Sequence, residues 1–257
     1  MKLEGKKIIV VGLGRSGVAA ADLCARLGAM VTGTDRMSAD YASKQVLELA
    51  ENGIEVALGG HEGVAWTEAD MVVVSPGVPQ FSGLVEAERA GAEVIGELEL
   101  ASRLVRAPIG VIGGTNGKST VTSWVGQMLS GPGRKVFVGG NLGTPLAEQA
   151  LDTFDHVILE VSSFQAERIQ QLRPRAAALL NITDDHLDRY ESFDAYAHTK
   201  GNVFVNMGSD DTAIVPAGDE LCAKQANRGG ARQATFGSGG DVSIVGNEIV
   251  DRIHGWT

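Results

Sequence analysis

The chain has 257 residues, 44% hydrophobic and 21% charged, which is long enough for two α/β domains with separate cores. Its formal net charge of −10, with no grouped run of Lys and Arg, excludes nucleic acid and anionic membrane as partners, because a phosphate backbone is held by clustered cations. Cys24 and Cys222 stand far apart in helix-like contexts, which excludes a disulfide framework or metal knuckle, and the run Ile8 to Val11 is too short for a signal peptide or a membrane span. A cytoplasmic protein is expected.

Taken in chain order, β-branched runs at Ile8 to Val11, Met30 to Thr32, Glu55 to Leu58, Met71 to Val74 and Val94 to Ile95 alternate with amphipathic stretches. That rhythm predicts an α/β fold, with a mostly parallel, Rossmann-like sheet over residues 1–104. A boundary is expected near Leu104, where Arg103-Leu-Val-Arg-Ala-Pro108 gives way to a new strand at Ile109 to Ile112. Further strands at Lys135 to Val138, His156 to Val161, Ala176 to Leu180 and Thr212 to Val215, then a hairpin around Val242 to Val250, describe a second, P-loop NTPase-like α/β domain over 105–257.

The first strand runs into Gly12-Leu-Gly-Arg-Ser-Gly17, a G-x-G-x-x-G turn that opens a helix and suits a diphosphate. The second strand ends at Thr34-Asp35-Arg36, where a dinucleotide fold places its ribose-binding carboxylate, so this half alone reads as an NAD site. Arg36 beside the acid suits a nucleotide with a second anionic group. Ser75-Pro-Gly-Val-Pro79 adds a tight turn at the same carboxyl edge.

The second domain opens with Val111-Ile-Gly-Gly-Thr-Asn-Gly-Lys-Ser-Thr120, a strand breaking into a glycine turn before a helix. Such a loop, Gly114 to Thr120 with Thr115, Asn116 and Gly117 between, cradles a triphosphate with backbone N–H groups and the positive helix end. Lys118 supplies a mobile ammonium, and Ser119 or Thr120 a hydroxyl for Mg²⁺. The strict Walker spacing is not met, since Ile112 stands where its first glycine would be. Glu160, at the end of its strand, is placed to face a metal on the phosphates. Asn181-Ile-Thr-Asp-Asp-His-Leu-Asp-Arg-Tyr190 sets Asp184, Asp185 and Asp188 around His186, either as outer ligands or as helix-capping acids. Lys200 carries no signal by itself.

Together these segments, with Gly140-Asn-Leu-Gly143 and Glu160-Val-Ser-Ser-Phe-Gln165, resemble the Mur ligases of bacterial peptidoglycan synthesis, in their D-glutamate-adding branch. The resemblance implies an ATP-dependent amide ligase acting through an acyl phosphate. It implies that Gly14, Arg15 and Ser16 hold UDP, with Asp35 facing the uracil, Arg36 near the phosphates and Ser75, Pro76 and Gly77 on the same edge. Asn141, Ser162 and His186 would contact the muramoyl substrate. Lys118, Ser119 and Glu160 would organise ATP and a first Mg²⁺, while Lys200, as a carbamate, and His186 would hold a second. The implied partners are UDP-N-acetylmuramoyl-L-alanine, ATP and D-glutamate, acting on a monomer. The third domain of that family has no counterpart in these 257 residues, so the chain alone is expected not to ligate. A non-catalytic module binding UDP-sugars or ATP is the competing expectation. An NAD(P)-dependent dehydrogenase would leave Gly114 to Thr120 and Lys200 unexplained.

Overall fold

The structure, a computed structural model, describes residues 1–185 and 188–255. The chain divides into two compact units, Met1–Val105 with Thr144–Asp152, and Arg106–Gly143 with Thr153–Thr257.

In the first unit β1 (Lys7–Val11), α1 (Arg15–Arg26), β2 (Met30–Asp35), α2 (Lys44–Glu51), β3 (Glu55–Leu58), β4 (Met71–Val74), α3 (Ser82–Arg89), β5 (Glu93–Gly96) and α4 (Glu97–Ser102) follow one another. The strands form a five-stranded sheet in the order β3-β2-β1-β4-β5, all parallel. β1 and β4 are buried along almost their whole length, as central parallel strands are when helices cover both faces. Ile9, Val11, Val72, Val74 and Leu84 form one core layer, closed by Trp66. β2 runs three residues beyond the expected Met30 to Thr32, because Gly33, a weak strand former alone, and β-branched Thr34 continue the pairing with Val10 and Val11.

The segment Thr144–Asp152 completes this unit. Leu146, Ala147 and Ala150 are buried, and the Ala147 N–H donates to Glu97 Oε1 at 2.7 Å. Glu97 opens α4 fully buried, with its other oxygen lacking a hydrogen-bond partner. Burial pushes its carboxyl up to about 7, opposed by the Ala147 N–H and reinforced by Glu148.

The second unit contains β6 (Ile109–Gly113), α5 (Lys118–Leu129), β7 (Val136–Gly140), β8 (His156–Glu160), α6 (Ser163–Ala166), β9 (Ala176–Leu179), α7 (Phe193–Lys200), β10 (Thr212–Pro216), α8 (Glu220–Ala226), β11 (Arg232–Phe236), β12 (Val242–Val245) and β13 (Glu248–Asp251). Its eight strands lie in the order β13-β12-β11-β10-β9-β6-β8-β7. All pairs are parallel except β12 with β13, the expected hairpin. β11 had no counterpart in the sequence reading. Arg232-Gln-Ala-Thr-Phe236 lacks an apolar run, and its strand state comes from pairing with β10. Val121, Val125 and Leu129 of α5 pack on Ile112 and Ile158. Among the described residues no helix is long and apolar enough to cross a membrane.

Candidate nucleotide-binding sites

In the first unit the chain leaves β1 through Gly12 and re-enters helix at Arg15, with Gly14 as N-cap. Only glycine fits at position 17, where a Cβ would lie 1.7 Å from the Gly12 carbonyl oxygen. Ser75 Oγ donates to that same carbonyl at 2.6 Å, tying the β4 turn to the β1 turn. Asp35 anchors the loop from the other side, because its Oδ2 accepts the Leu13 N–H at 2.5 Å and its Oδ1 the Met37 N–H at 2.8 Å. Arg15 pairs with Glu148 at 3.1 Å and lies 3.5 Å from Thr144 Oγ1.

Two cavities meet at Asp35. A larger one, about 1020 Å³, is lined by Gly14, Arg15, Val18, Met37, Leu49 and Glu148 among others. The smaller, about 190 Å³, lies at the carboxyl ends of β1, β2 and β4, lined by Gly12, Arg36, His61, Gly77, Val78 and Phe81 among others. Arg36 is exposed and Ser16 half-buried, and Pro76 lies in the turn between Ser75 and Gly77.

In the second unit β6 breaks at Gly113, and Gly117 caps α5 in the left-handed region at φ 82°, which glycine enters without steric cost. The first-turn N–H groups of α5, on Lys118, Ser119 and Thr120, have no intrahelical acceptor and carry the positive end of the helix dipole. The N–H groups of Thr115 and Asn116 are engaged elsewhere. Both donate to Asn181 Oδ1, at 3.2 and 2.9 Å, and Asn181 Nδ2 donates to the Asn116 carbonyl at 3.0 Å. This amide, in the loop that follows β9, clamps the phosphate loop from the neighbouring strand's end. The expected cradle of N–H groups therefore shifts toward the helix turn. Thr115 Oγ1 further accepts the Thr183 N–H at 3.1 Å and touches the buried Tyr196 hydroxyl at 3.2 Å.

Lys118 Nζ donates to the Thr115 carbonyl at 2.7 Å, and Lys200 Nζ, from the end of α7, to the Gly114 carbonyl at 2.9 Å. Lys200 is 5% exposed and lies over the Tyr196 ring, 4.6 Å from its centre. Burial lowers its ammonium to about 8, with Lys118 adding to the shift and Asp185 opposing it.

Glu160 ends β8, in register with Ile112 of β6 and Gly140 of β7, so its carboxylate arises beside the phosphate loop. It is 2% exposed. Oε1 accepts Asn141 Nδ2 at 2.7 Å, while Oε2 is buried without a hydrogen-bond partner. A buried carboxylate oxygen left unpaired is costly, and a hard divalent cation satisfies it. The unpaired Glu160 oxygen thus fits a hard divalent cation such as Mg²⁺. Among the described residues no group of three or more His, Cys, Asp or Glu could hold a metal ion.

Ser162 acts as the N-cap of α6, accepting the Gln165 N–H at 3.2 Å in a reciprocal capping box. Asp184, Asp185 and Asp188 are exposed, and His186 lies outside the described residues. The sequence reading missed Asn181, Tyr196 and His61 as site residues. Asn181 had a signal, since it directly follows the strand flanking the phosphate loop. His61 had a weaker one, the glycine pair Gly59-Gly60 after β3.

Fold and site together define an α/β nucleotide-binding protein, with a glycine loop of phosphate-binding type, two lysines whose ammonium groups donate to that loop's carbonyls and a buried carboxylate on the adjacent strand. The pattern of the Mur ligase middle domain matches residues 112–254, and that of the Mur ligase MurD-like N-terminal domain residues 6–96. The chain belongs to the Mur ligase family. It is 42% identical to the UDP-N-acetylmuramoylalanine–D-glutamate ligase of Desulfosudis oleivorans, over 98% of this chain and 56% of that protein. It is 47% identical to the same-named ligase of Geobacter metallireducens, over 89% of this chain and 51% of that one. The chain thus spans about half the length of the curated relatives it matches. The fold is shared with the UDP-N-acetylmuramate:L-alanyl-gamma-D-glutamyl-meso-diaminopimelate ligase from Neisseria meningitides, at a TM-score of 0.59 and 20% identity over 90% of this chain and 78% of that one. A murein peptide ligase from Psychrobacter arcticus has the same fold at a TM-score of 0.55, with 19% identity over 93% of this chain and 55% of that one.

Proposed function

We propose that this chain supplies the UDP-substrate unit, residues 1–104, and the ATP unit, residues 105–257, of an ATP-dependent ligase. The whole protein joins D-glutamate to UDP-N-acetylmuramoyl-L-alanine in peptidoglycan synthesis. The observation that carries this reading is the buried, half-satisfied Glu160 carboxylate beside a loop whose carbonyls accept from Lys118 and Lys200. The names of relatives at 42% and 47% identity support the choice of substrates.

In this reading the α5 first turn and Lys118 hold the β- and γ-phosphates of ATP, and Lys118 offsets charge that grows on the transferred phosphoryl group. Glu160 and Ser119 would hold Mg²⁺, which would supply positive charge against the phosphates as a substrate carboxylate approaches the γ-phosphorus. The carboxylate oxygen would bond to the γ-phosphorus as ADP leaves, and the amine of D-glutamate would then attack the acyl carbon of the acyl phosphate, losing a proton and expelling inorganic phosphate. Lys200 reacts in its neutral form with CO₂, losing a proton to become an anionic carbamate. As an ammonium it could not ligate a cation; as a carbamate it would hold a second Mg²⁺ together with His186. Gly14, Arg15, Ser16, Asp35, Arg36, Ser75, Pro76 and Gly77 bind the UDP portion, and Asn141, Ser162 and His186 the muramoyl portion. The protein acts as a cytoplasmic monomer.

Calorimetric titration of the 257-residue chain tests the binding part directly. UDP-N-acetylmuramoyl-L-alanine and MgATP should each bind, and NADH should not. Binding of NADH with no response to the UDP substrate would overturn the reading.

A further inference from the structure

His61 projects into the smaller cavity of the first unit, and three contacts fix its ring. One face stacks on Phe81, with centroids 4.7 Å apart and planes 17° apart. The ring also meets the buried Trp66 edge-on, with centroids 6.2 Å apart, and Trp66 in turn holds Phe81 at 5.4 Å within the core of the unit. The third contact is at Nδ1, 3.0 Å from Thr34 Oγ1.

That contact fixes the proton. Thr34 is fully buried and its hydroxyl has one hydrogen, which it donates to the Gly60 carbonyl at 3.1 Å. The hydroxyl must then accept from His61, so Nδ1 carries the ring proton and Nε2 is left as a lone-pair acceptor. Burial and the nearby Arg36 favour this neutral form, against a smaller pull from Asp35. The acceptor therefore persists at neutral pH.

Asp35 already takes two backbone N–H groups, from Leu13 and Met37, and Arg36 offers only donors. An uncharged acceptor in the same cavity calls for a ligand hydrogen. At about 190 Å³ the cavity is smaller than the roughly 300–1,000 Å³ of a whole ligand site, so it suits one part of a ligand. Resting on the reading of this unit as a uridine diphosphate site, we propose that His61 Nε2 accepts a hydrogen bond from the nucleoside, at the uracil imide N–H or the ribose 2′-hydroxyl. His61 is thereby a specificity-determining residue of that site. Charge on the diphosphate is left to Arg36 and the glycine turns.

Two variants separate this role from a structural one. In His61→Asn the shorter amide overlays Nδ1, so it keeps the donor to Thr34 and loses the acceptor in the cavity. In His61→Gln the longer amide overlays Nε2, so it keeps an acceptor there and loses the Thr34 contact. Binding of UDP, 3-methyl-UDP and 2′-deoxy-UDP to the 257-residue chain is measured for all three proteins, with melting temperatures alongside. One hydrogen bond corresponds to about a tenfold change in affinity. Wild type and His61→Gln should disfavour one of the two analogues by that factor, and the analogue affected identifies the donor. His61→Asn should bind UDP about tenfold more weakly and treat UDP and both analogues alike. A purely structural His61 would give the reverse, with Asn near wild type and Gln impaired. If wild type binds UDP and His61→Asn retains both its affinity and its analogue preference, the assignment is overturned while the uridine site stands. If wild type binds neither UDP nor UDP-N-acetylmuramoyl-L-alanine, the uridine site itself fails, and this assignment with it.

Discussion

Lys118 and Lys200 set their ammonium groups on consecutive carbonyls of one loop, Thr115 at 2.7 Å and Gly114 at 2.9 Å. The two come from elements far apart in sequence, the start of α5 and the end of α7. Each loop carbonyl holds one cation, and the charge of Lys118 helps to release the proton of buried Lys200. With its ammonium at about 8, Lys200 is partly neutral near physiological pH, and the neutral fraction grows as pH rises.

Carbamate formation should follow that fraction. With ¹³C-bicarbonate, a carbamate resonance is expected that strengthens from pH 7 to 9 and vanishes in Lys200→Ala. Lys118→Ala removes a cation that disfavours the ammonium, so Lys200 should hold its proton more tightly and the resonance at pH 8 should weaken. An unchanged resonance in Lys118→Ala would separate the two lysines electrostatically.

Asn181→Ala removes three hydrogen bonds that hold the phosphate loop. At about 1 kcal/mol each, partly replaced by water, their loss should weaken MgATP binding about tenfold or more. Because the clamp belongs to the second unit and the uridine diphosphate site to the first, affinity for UDP in calorimetry should not change.

Glu160→Gln deletes the charge that the Mg²⁺ ion answers while nearly preserving shape. ATP affinity should fall in the presence of Mg²⁺, by about 10²-fold if the ion's contact is lost, and should change little in EDTA. The melting temperature of the ligand-free protein should stay level or rise, since a buried carboxylate without a full set of partners costs stability.

Glu97 makes stability depend on pH in a direction unusual for a carboxylate. Its folded pKa, about 7, lies above its model-compound value of 4.5. Between these values the folded state binds more protons than the unfolded one, so the stabilisation present below pH 4.5 is lost as pH rises through 7. The span corresponds to about 3 kcal/mol as an order of magnitude. Glu97→Gln should flatten the profile, with the melting temperature of the variant exceeding wild type at pH 8 but not at pH 4.5. Parallel profiles would show that Glu97 does not titrate in this window.

Much of the fold was legible because its signals are local. The β-branched runs of β1 and β4 and the turn at Gly12 to Gly17 have causes within a few residues, namely two-sided burial and a backbone approach that only glycine allows. β11 was illegible because a polar strand is made by its neighbour. The Asn181 clamp and the His61 tautomer were hidden for a related reason. An amide or imidazole acquires its role from the carbonyl or hydroxyl that folding brings to it, here from 66 residues away for Thr115 and 27 for Thr34. The loop Gly114 to Lys118 could be read as a phosphate binder, but not which of its N–H groups remain for the ligand.

The insertion of Thr144–Asp152 into the first unit bears on how the polypeptide matures. A ribosome emits the chain from its amino end, and domains generally form as they emerge. Here the first sheet can assemble once β5 has appeared. The pocket for Leu146, Ala147 and Ala150 then stays open, and the Glu97 carboxyl unanswered, until translation has passed β6, α5 and β7. Nascent chains stalled at residue 105 should therefore be digested faster by protease than those stalled well beyond residue 152, and recombinant versions cut at the apparent domain border should aggregate.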